Sequence, residues 1–223
     1  VRVLTANGCE VHVPENQTCC GALHTHSGER ERARVLARQN IDALLPGDYD
    51  VIISNTAGCG STLKEYHELL EHDAAYAARA REFVKKMRDV NEFLAAAGLT
   101  HRPGRIDARV TYQDSCHLLH GQKIRGAPRQ LLSQIPGLDL VELPDTEICC
   151  GSAGVYNVVQ DAMASALLER KMANANATGA SIIATANPGC MLQLRAGVEK
   201  HGSGQRVMHV VELLDESYRA AAR

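Results

Sequence analysis

The chain has 223 residues, 45% hydrophobic and 22% charged, with a formal net charge of -2 and eight cysteines. That length can bury one large core or two lobes, and the near-neutral charge removes the electrostatic case for nucleic-acid binding. Aromatic residues make up only 4% and Trp is absent, which leaves no large stacking platforms for bases or sugars.

In chain order, residues 1–4 read as the remnant of an element. Residues 9–13 alternate and read as a strand stopped by Pro14, with Cys9 inside it as a packed thiol. A loop then carries Cys19-Cys20-Gly21-Ala22-Leu23-His24. Ser27 is a candidate cap for a helix with Glu29 and Glu31 in its first turn; Ala33, Leu36, Ala37, Ile41 and Leu44 form its apolar stripe, and Pro46-Gly47 stops it. Residues 51–54 form a short apolar strand that runs into Asn55-Thr56-Ala57-Gly58-Cys59-Gly60. Residues 65–70 and 74–97 read as helix, with Lys85, Lys86 and Arg88 solvated.

Residues 98–108, with Pro103-Gly104, are the join to a second unit. A strand over 109–112 leads into Gln113-Asp114-Ser115-Cys116-His117, and Pro128 starts a short helix. Residues 138–143 form a strand ahead of Cys149-Cys150-Gly151-Ser152. The spacing then predicts a helix over about 160–175, a strand over 181–184, and the turn Asn187-Pro188-Gly189-Cys190 opening the next helix. A strand over 207–211 and a helix over 212–221 close the chain.

The two Cys-Cys-Gly triplets are 130 positions apart, and each is followed by a Gly-Cys: 38 residues separate Cys20 from Cys59, and 39 separate Cys150 from Cys190. Pro14 and Pro144 share the 130-residue offset. Agreement at several separated points means two copies of one unit, here residues 1–100 and 101–223. The expected fold is α/β: two duplicated lobes, each a mostly parallel sheet flanked by helices, with the cysteine loops at the carboxyl ends of strands, where open α/β sheets bind ligands. Cys116, separated from Cys149 by 32 residues, has no counterpart in the first copy. Its place would fall about 14 positions before Val1, so the expectation is a longer protein.

Four thiols, Cys116, Cys149, Cys150 and Cys190, converge in the second copy on this reading, and three, Cys19, Cys20 and Cys59, in the first. Both triplets are vicinal, which argues against a disulfide framework, and thiolates are natural ligands of iron–sulfur clusters and zinc. Two adjacent cysteines reach one site only if the backbone bends sharply after them, and Gly21 and Gly151 permit that bend. Zinc-finger spacing and the compact ferredoxin spacing are both absent, so the residues favour a cluster and leave zinc as the alternative. Ser152, Tyr156 and Asn157 are candidates either to hydrogen-bond a bound group or to fix the loop.

Cys-Cys-Gly-Ala-Leu-His at 19–24, Asp-Ser-Cys-His at 114–117 with His120-Gly121-Gln122, Cys-Cys-Gly-Ser-Ala-Gly-Val-Tyr-Asn at 149–157 and Asn-Pro-Gly-Cys at 187–190 resemble the cysteine-rich CCG domain family. That family includes the cysteine-rich subunit of heterodisulfide reductase, the lactate-utilisation iron–sulfur protein and the iron–sulfur subunit of glycolate oxidase, the last being the nearest in these motifs. The family pattern closes on Cys-x-x-Cys; here Asn187 and Thr56 stand where its first cysteine would be, which leaves a four-thiolate [4Fe-4S] cluster or zinc open in the second lobe. The resemblance implies an electron-transfer subunit that takes electrons from a flavin-containing subunit oxidising a 2-hydroxy acid, and further [4Fe-4S] clusters in an amino-terminal ferredoxin part. It implies a cytoplasmic location, with peripheral membrane association through the complex. Lactate or glycerol-3-phosphate oxidation, or a zinc-bearing structural scaffold, are the alternatives.

Overall fold

A computed structural model describes residues 1–221. The first lobe runs α1 (Arg2–Ala6), α2 (Ala22–His26), α3 (Arg30–Leu44), β1 (Ile52–Ser54), α4 (Ala57–Lys64), α5 (Tyr66–Leu69), α6 (Ala77–Lys86), β2 (Met87–Asp89) and α7 (Val90–Ala97). In the second, β3 (Ala108–Tyr112) is followed by α8 (Gly126–Ser133) and β4 (Leu138–Glu142). After these come α9 (Tyr156–Val159), α10 (Asp161–Ala177), β5 (Ile182–Thr185), α11 (Pro188–His201), β6 (Arg206–His209) and α12 (Val210–Ala221).

The strands form two wholly parallel sheets, one in the order β1-β2 and one in the order β4-β3-β5-β6. β5 is buried at all four positions, as expected of a central parallel strand covered on both faces. The first lobe is a shorter version of the second, and their registers agree. Ile52 pairs with Met87 and Ser54 with Asp89, as Ile183 pairs with Val207 and Thr185 with His209. The last residue of β2 and of β6 also caps the next helix in the same way. Asp89 forms a capping box with Glu92, and the His209 N–H donates to Glu212 while His209 Nδ1 accepts from the Val211 N–H at 3.2 Å.

Three expectations need correction. Residues 9–13 form no strand: the second-lobe counterpart, β4, pairs only with β3, and the first lobe has no β3 to supply ladder partners. The helix expected over 74–97 is broken by β2, whose Met87 and Asp89 are fully buried. Pairing with β1 there overrides a locally helical composition. Ser27 ends α2 instead of capping α3, which starts from Glu29 after a turn at Gly28 in the left-handed region.

One core unites α1 and α7 with the second lobe: Val3, Leu4, Val90 and Leu94 pack in the same cluster as Val110, Leu131, Ile182 and Leu213. Separate clusters fill the space beneath β1 and beneath the Cys149-Cys150 loop. The lobes therefore meet through buried apolar surface, which fixes their cysteine loops relative to one another.

Candidate metal centre

Each cysteine loop leaves the carboxyl end of its strand region and runs into a helix, so the sulfurs gather at one edge of each lobe. The bend after each vicinal pair is made by glycine in the left-handed region, Gly21 at φ 83 and Gly151 at φ 94. Each glycine also lies flat against the following long helix. A Cβ at Gly21 would meet Ala33 Cα at 3.2 Å, and one at Gly151 would meet the Ala164 carbonyl oxygen at 2.4 Å. Ala33 in α3 and Ala164 in α10 are the same position in the repeat.

Seven positions further along the same helices stand Asn40 and Lys171, both buried although polar. Asn40 Nδ2 donates to the Cys19 carbonyl at 3.0 Å, its Oδ1 accepts from the Thr18 N–H, and Tyr66 adds a hydroxyl donor to the Cys20 carbonyl at 2.9 Å. Lys171 Nζ donates to the Asp145 and Thr146 carbonyls at 2.7 and 3.2 Å. Both side chains pin the loop carrying their cysteine pair. Neither was singled out from the sequence, although each falls within a helical stretch whose neighbouring stripe positions are apolar.

In the second lobe the four thiols are brought together: Cys150 and Cys190 are buried, Cys116 and Cys149 half-buried. The thiols perturb one another in series, Cys116 with Cys149, Cys149 with Cys150 and Cys150 with Cys190. The hydrogen bonds from Cys116 and Cys150 hold Cys149 far below the ordinary thiol range, while Cys116 and Cys150 are pushed up by those same bonds and by burial. Cys190 is lowered chiefly by its bond to Cys150, with Asn187 adding to the effect. Backbone and side-chain donors already face the sulfurs. The Gly151 N–H lies 3.3 Å from Cys149 Sγ, Asn187 Nδ2 3.4 Å from Cys190 Sγ, and His117 Nδ1 3.6 Å from Cys116 Sγ.

The loop bearing Cys116 is tied down by an ion pair of high geometric quality. Arg129 makes two bonds of 2.9 Å to Asp114, whose side chain is only 2% exposed, and two more to Glu142. Thr146 accepts from the Asp114 N–H and so links this loop to the one before Cys149. Ser115 and Thr185 hydroxyls are 3.0 Å apart, and Thr185 donates to Gln113, joining the Cys116 loop to β5.

In the first lobe Cys20 is buried, Cys59 half-buried and Cys19 exposed. Cys20 is raised chiefly by its hydrogen bond to Cys59, which is lowered by the same bond. The Gly21 N–H lies 3.5 Å from Cys19 Sγ. Cys9 is half-buried and packs at the fringe of the shared core.

Among the other candidates, Ser152 is buried with its hydroxyl beside Gly189, and Asn157 donates to Gln193 at 3.1 Å. Tyr156 opens α9 and is half-buried. Asn157 thus fixes its loop against α11.

The loops that carry the two thiol sets meet across the lobe boundary. The Ala57 N–H donates to the Ala186 carbonyl at 3.2 Å and the Gly58 N–H to Asn187 Oδ1 at 3.1 Å. Gln122 reaches the Ala57 carbonyl at 2.9 Å, and the His26 and His117 rings stand 5.5 Å apart. Asn187 joins Cys190 in one lobe to the Cys59 loop in the other.

Among the described residues, no three or more His, Cys, Asp or Glu side chains stand at the spacing of a bound single ion. The donor chemistry nonetheless suits a thiolate-ligated centre: four thiols sharing protons cannot all ionise together unless cationic charge enters between them.

The profile of the cysteine-rich CCG domain matches residues 1–64 and 110–195. The chain belongs to that family. It is 42% identical over 97% of its length to the probable glycolate oxidase iron-sulfur subunit of Bacillus subtilis, and spans about half (50%) of that relative. It is 33% identical over 96% of its length to lactate utilization protein A of Shouchella clausii, covering 90% of it. It is also 35% identical over 98% of its length to a fumarate reductase (CoM/CoB) subunit of Methanothermobacter marburgensis, covering 42%. Among the described residues no helix is long and apolar enough to cross a membrane.

Proposed function

We propose that this CCG-family chain is an iron–sulfur subunit of a glycolate or lactate oxidase-like system. The observation that carries the proposal is the convergence of Cys116, Cys149, Cys150 and Cys190 on one edge of a parallel sheet, carried by three separately braced loops. The relatives' names support the same assignment. The repeat units are residues 1–100 and 101–223, and the four second-lobe thiols hold a [4Fe-4S] cluster. A bound cluster supplies one-electron storage, so that the two electrons of a hydride removed from a 2-hydroxy acid by a flavin-containing partner leave singly toward a quinone or other acceptor.

The protein's own contribution is placement and tuning. Gly151, Asn187 and His117 direct donors at sulfur and favour its charged form, and the Asp114–Arg129 pair and Lys171 hold two of the loops rigid. Gly21, with Cys19, Cys20 and Cys59, forms a weaker three-thiol set, because affinity follows ligand number. Ser152, Tyr156 and Asn157 shape the loop after Cys150. The chain works in the cytoplasm, and any attachment to a membrane is through its partners.

Anaerobic reconstitution with iron and sulfide, followed by metal analysis, optical spectra and EPR, tests this reading. The expected result is a reducible iron–sulfur signal, with most bound iron lost in Cys190→Ser and little in Cys59→Ser. A chain that retains only zinc, silent in both spectra, would replace the electron carrier with a structural scaffold. Equal losses in the two variants would mean that the half-sites share ligands across the lobe boundary.

A further inference from the structure

Lys171 is 1% exposed, and among the described residues its ammonium forms no ion pair; Nζ donates only to the Asp145 and Thr146 carbonyls. The two carboxylates that act on it are each paired with another cation, Asp145 with Arg170 at 2.7 Å and Asp114 with Arg129 at 2.9 Å. What remains for it to face is sulfur. Leu168 and Met172, its neighbours in α10, pack in one cluster with Cys150 and Cys190. Burial lowers the Lys171 pKa from the ordinary lysine value, against the pull of Cys150, Asp145 and Cys149. The first lobe shows that bracing the cysteine loop needs no charge. Asn40 stands at the same position of the repeat, equally buried, and pins its loop with a neutral amide. A buried ammonium costs far more to desolvate than a buried amide. What the second lobe adds at this position is a unit of positive charge, and it lies beneath the set with four thiols, not the set with three.

We infer that Lys171 is the counter-charge of the second-lobe centre, a fixed buried cation that offsets the negative charge of the four thiolates, strengthens metal retention and favours the reduced state. Four thiolates around one zinc ion leave a net negative charge, and a cluster on the same thiolates becomes more negative with each electron it accepts. Lys171 makes no hydrogen bond to sulfur; it is a positioning residue that acts on the centre through the field of its charge. That field is little screened in the interior, whereas an exposed charge is screened by water and salt. Arg170 is the internal comparison: the adjacent residue of the same helix has the same charge, but it is 60% exposed and paired with Asp145. The effect on the reduced state rests on the iron–sulfur reading. The effect on metal retention does not.

Three variants separate charge from bracing. Lys171→Gln keeps an amide donor for the loop and removes the charge, Lys171→Met removes both, and Arg170→Gln removes the exposed charge next to it. In the chain reconstituted anaerobically with iron and sulfide, an EPR-monitored redox titration reads the midpoint potential. Both Lys171 variants should shift the reduced-to-oxidised ratio at a given potential at least roughly ten-fold toward the oxidised state, a midpoint lower by about 59 mV for a one-electron couple. Arg170→Gln should shift it less than about two-fold. An unchanged midpoint in both Lys171 variants would overturn the inference. So would a shift in Lys171→Met alone, which leaves the residue only a bracing role, or an equal shift in Arg170→Gln, which assigns the effect to surface charge. Circular dichroism checks that each variant is folded; if Lys171→Gln is not, Lys171→Arg, which keeps the charge, set against Lys171→Met makes the same comparison. Zinc supplies a second arm. With zinc as the only metal, competition against a chromophoric chelator should show an affinity at least roughly ten-fold lower in both Lys171 variants and unchanged in Arg170→Gln. A chain that binds zinc but gives no reducible signal would sink the electron-carrier reading and leave this inference to the zinc arm, where equal affinity in the parent and the Lys171 variants would overturn it.

Discussion

The two glycines that turn the backbone after the vicinal cysteines offer a graded test of the site's construction, because the same substitution meets different surroundings in the two lobes. Gly151→Ala forces an L side chain into the left-handed region at φ 94, which costs about 1–2 kcal/mol. It also drives a methyl group to 2.4 Å from the Ala164 carbonyl oxygen, and that oxygen belongs to the backbone of α10, which cannot swing aside as a side-chain end would. Displacing the loop or the helix adds roughly 1–3 kcal/mol, the usual cost of overpacking a filled site. The sum is about 3 kcal/mol, equivalent to a fall in thermal midpoint of roughly 6–12 °C for a chain of this size. Gly21→Ala has the same backbone penalty but its nearest contact is Ala33 Cα at 3.2 Å, which a shift of a few tenths of an ångström relieves. Its cost should be about 1–2 kcal/mol. Urea denaturation of both variants, with iron content after reconstitution, measures the difference. A Gly151→Ala protein as stable as the parent, or one less affected than Gly21→Ala, would refute the claim that the glycine is needed for close approach to the helix.

Three further outcomes follow from particular contacts. Cys9→Ser should leave metal content unchanged, since Cys9 packs at the edge of the shared core and makes no thiol contact with Cys20 or Cys59 among the described residues; a loss equal to that of Cys20→Ser would contradict this. Lys171→Met removes the donor to two carbonyls ahead of the cysteine pair and should destabilise by about 1–3 kcal/mol, read from the urea midpoint, and speed loss of iron to a chelator. Burial depresses the His209 pKa below its ordinary value near 6.5, so its neutral form supports folding fully above about pH 6.5 and that support is lost as pH falls below it, by at most about 1.4 kcal/mol per unit. His209→Asn, which keeps a capping acceptor, should flatten the decline in stability between about pH 7.5 and 5.5; an unchanged slope would show that His209 titrates normally.

Much of this architecture is legible in the sequence because apolar runs beside glycine-rich cysteine loops admit few readings. The strands at Ile52–Ser54, Ala108–Tyr112, Leu138–Glu142 and Ile182–Thr185 all fall at such runs. The failures have tertiary causes. Met87–Asp89 lies in a helix-forming stretch and becomes a strand only because β1 offers it an edge. Residues 9–13 have the alternation of a strand and no partner to pair with. Asn40 and Lys171 are ordinary helix residues in one dimension, and their role appears only when the helix is laid beneath the cysteine loop. Asn187 reads in sequence as a ligand replaced. Its two bonds, one to each lobe, are visible only in the fold.

Those two bonds give Asn187 a role of its own, whatever residue the resemblance would place there. A cysteine at 187 would offer one more thiolate to a set that already has four, and a second anionic sulfur beside Cys190 has to be balanced by more cationic charge. Asparagine supplies a donor to Cys190 Sγ and an acceptor to the Gly58 N–H, so it stabilises charge on one sulfur and satisfies a backbone group beside Cys59 at once. Gly58 leaves room for this: a Cβ there would lie 3.4 Å from Asn187 Oδ1. The neighbouring Gln122 closes the same boundary by donating to the Ala57 carbonyl, and a Cβ at Gly60 would strike its amide nitrogen at 2.7 Å. A side chain at Gly60 would thus displace the Gln122 amide from its place at the boundary. The loop of Cys59 cannot shift without moving a donor of Cys190, which makes the lobe boundary a part of both thiol sets.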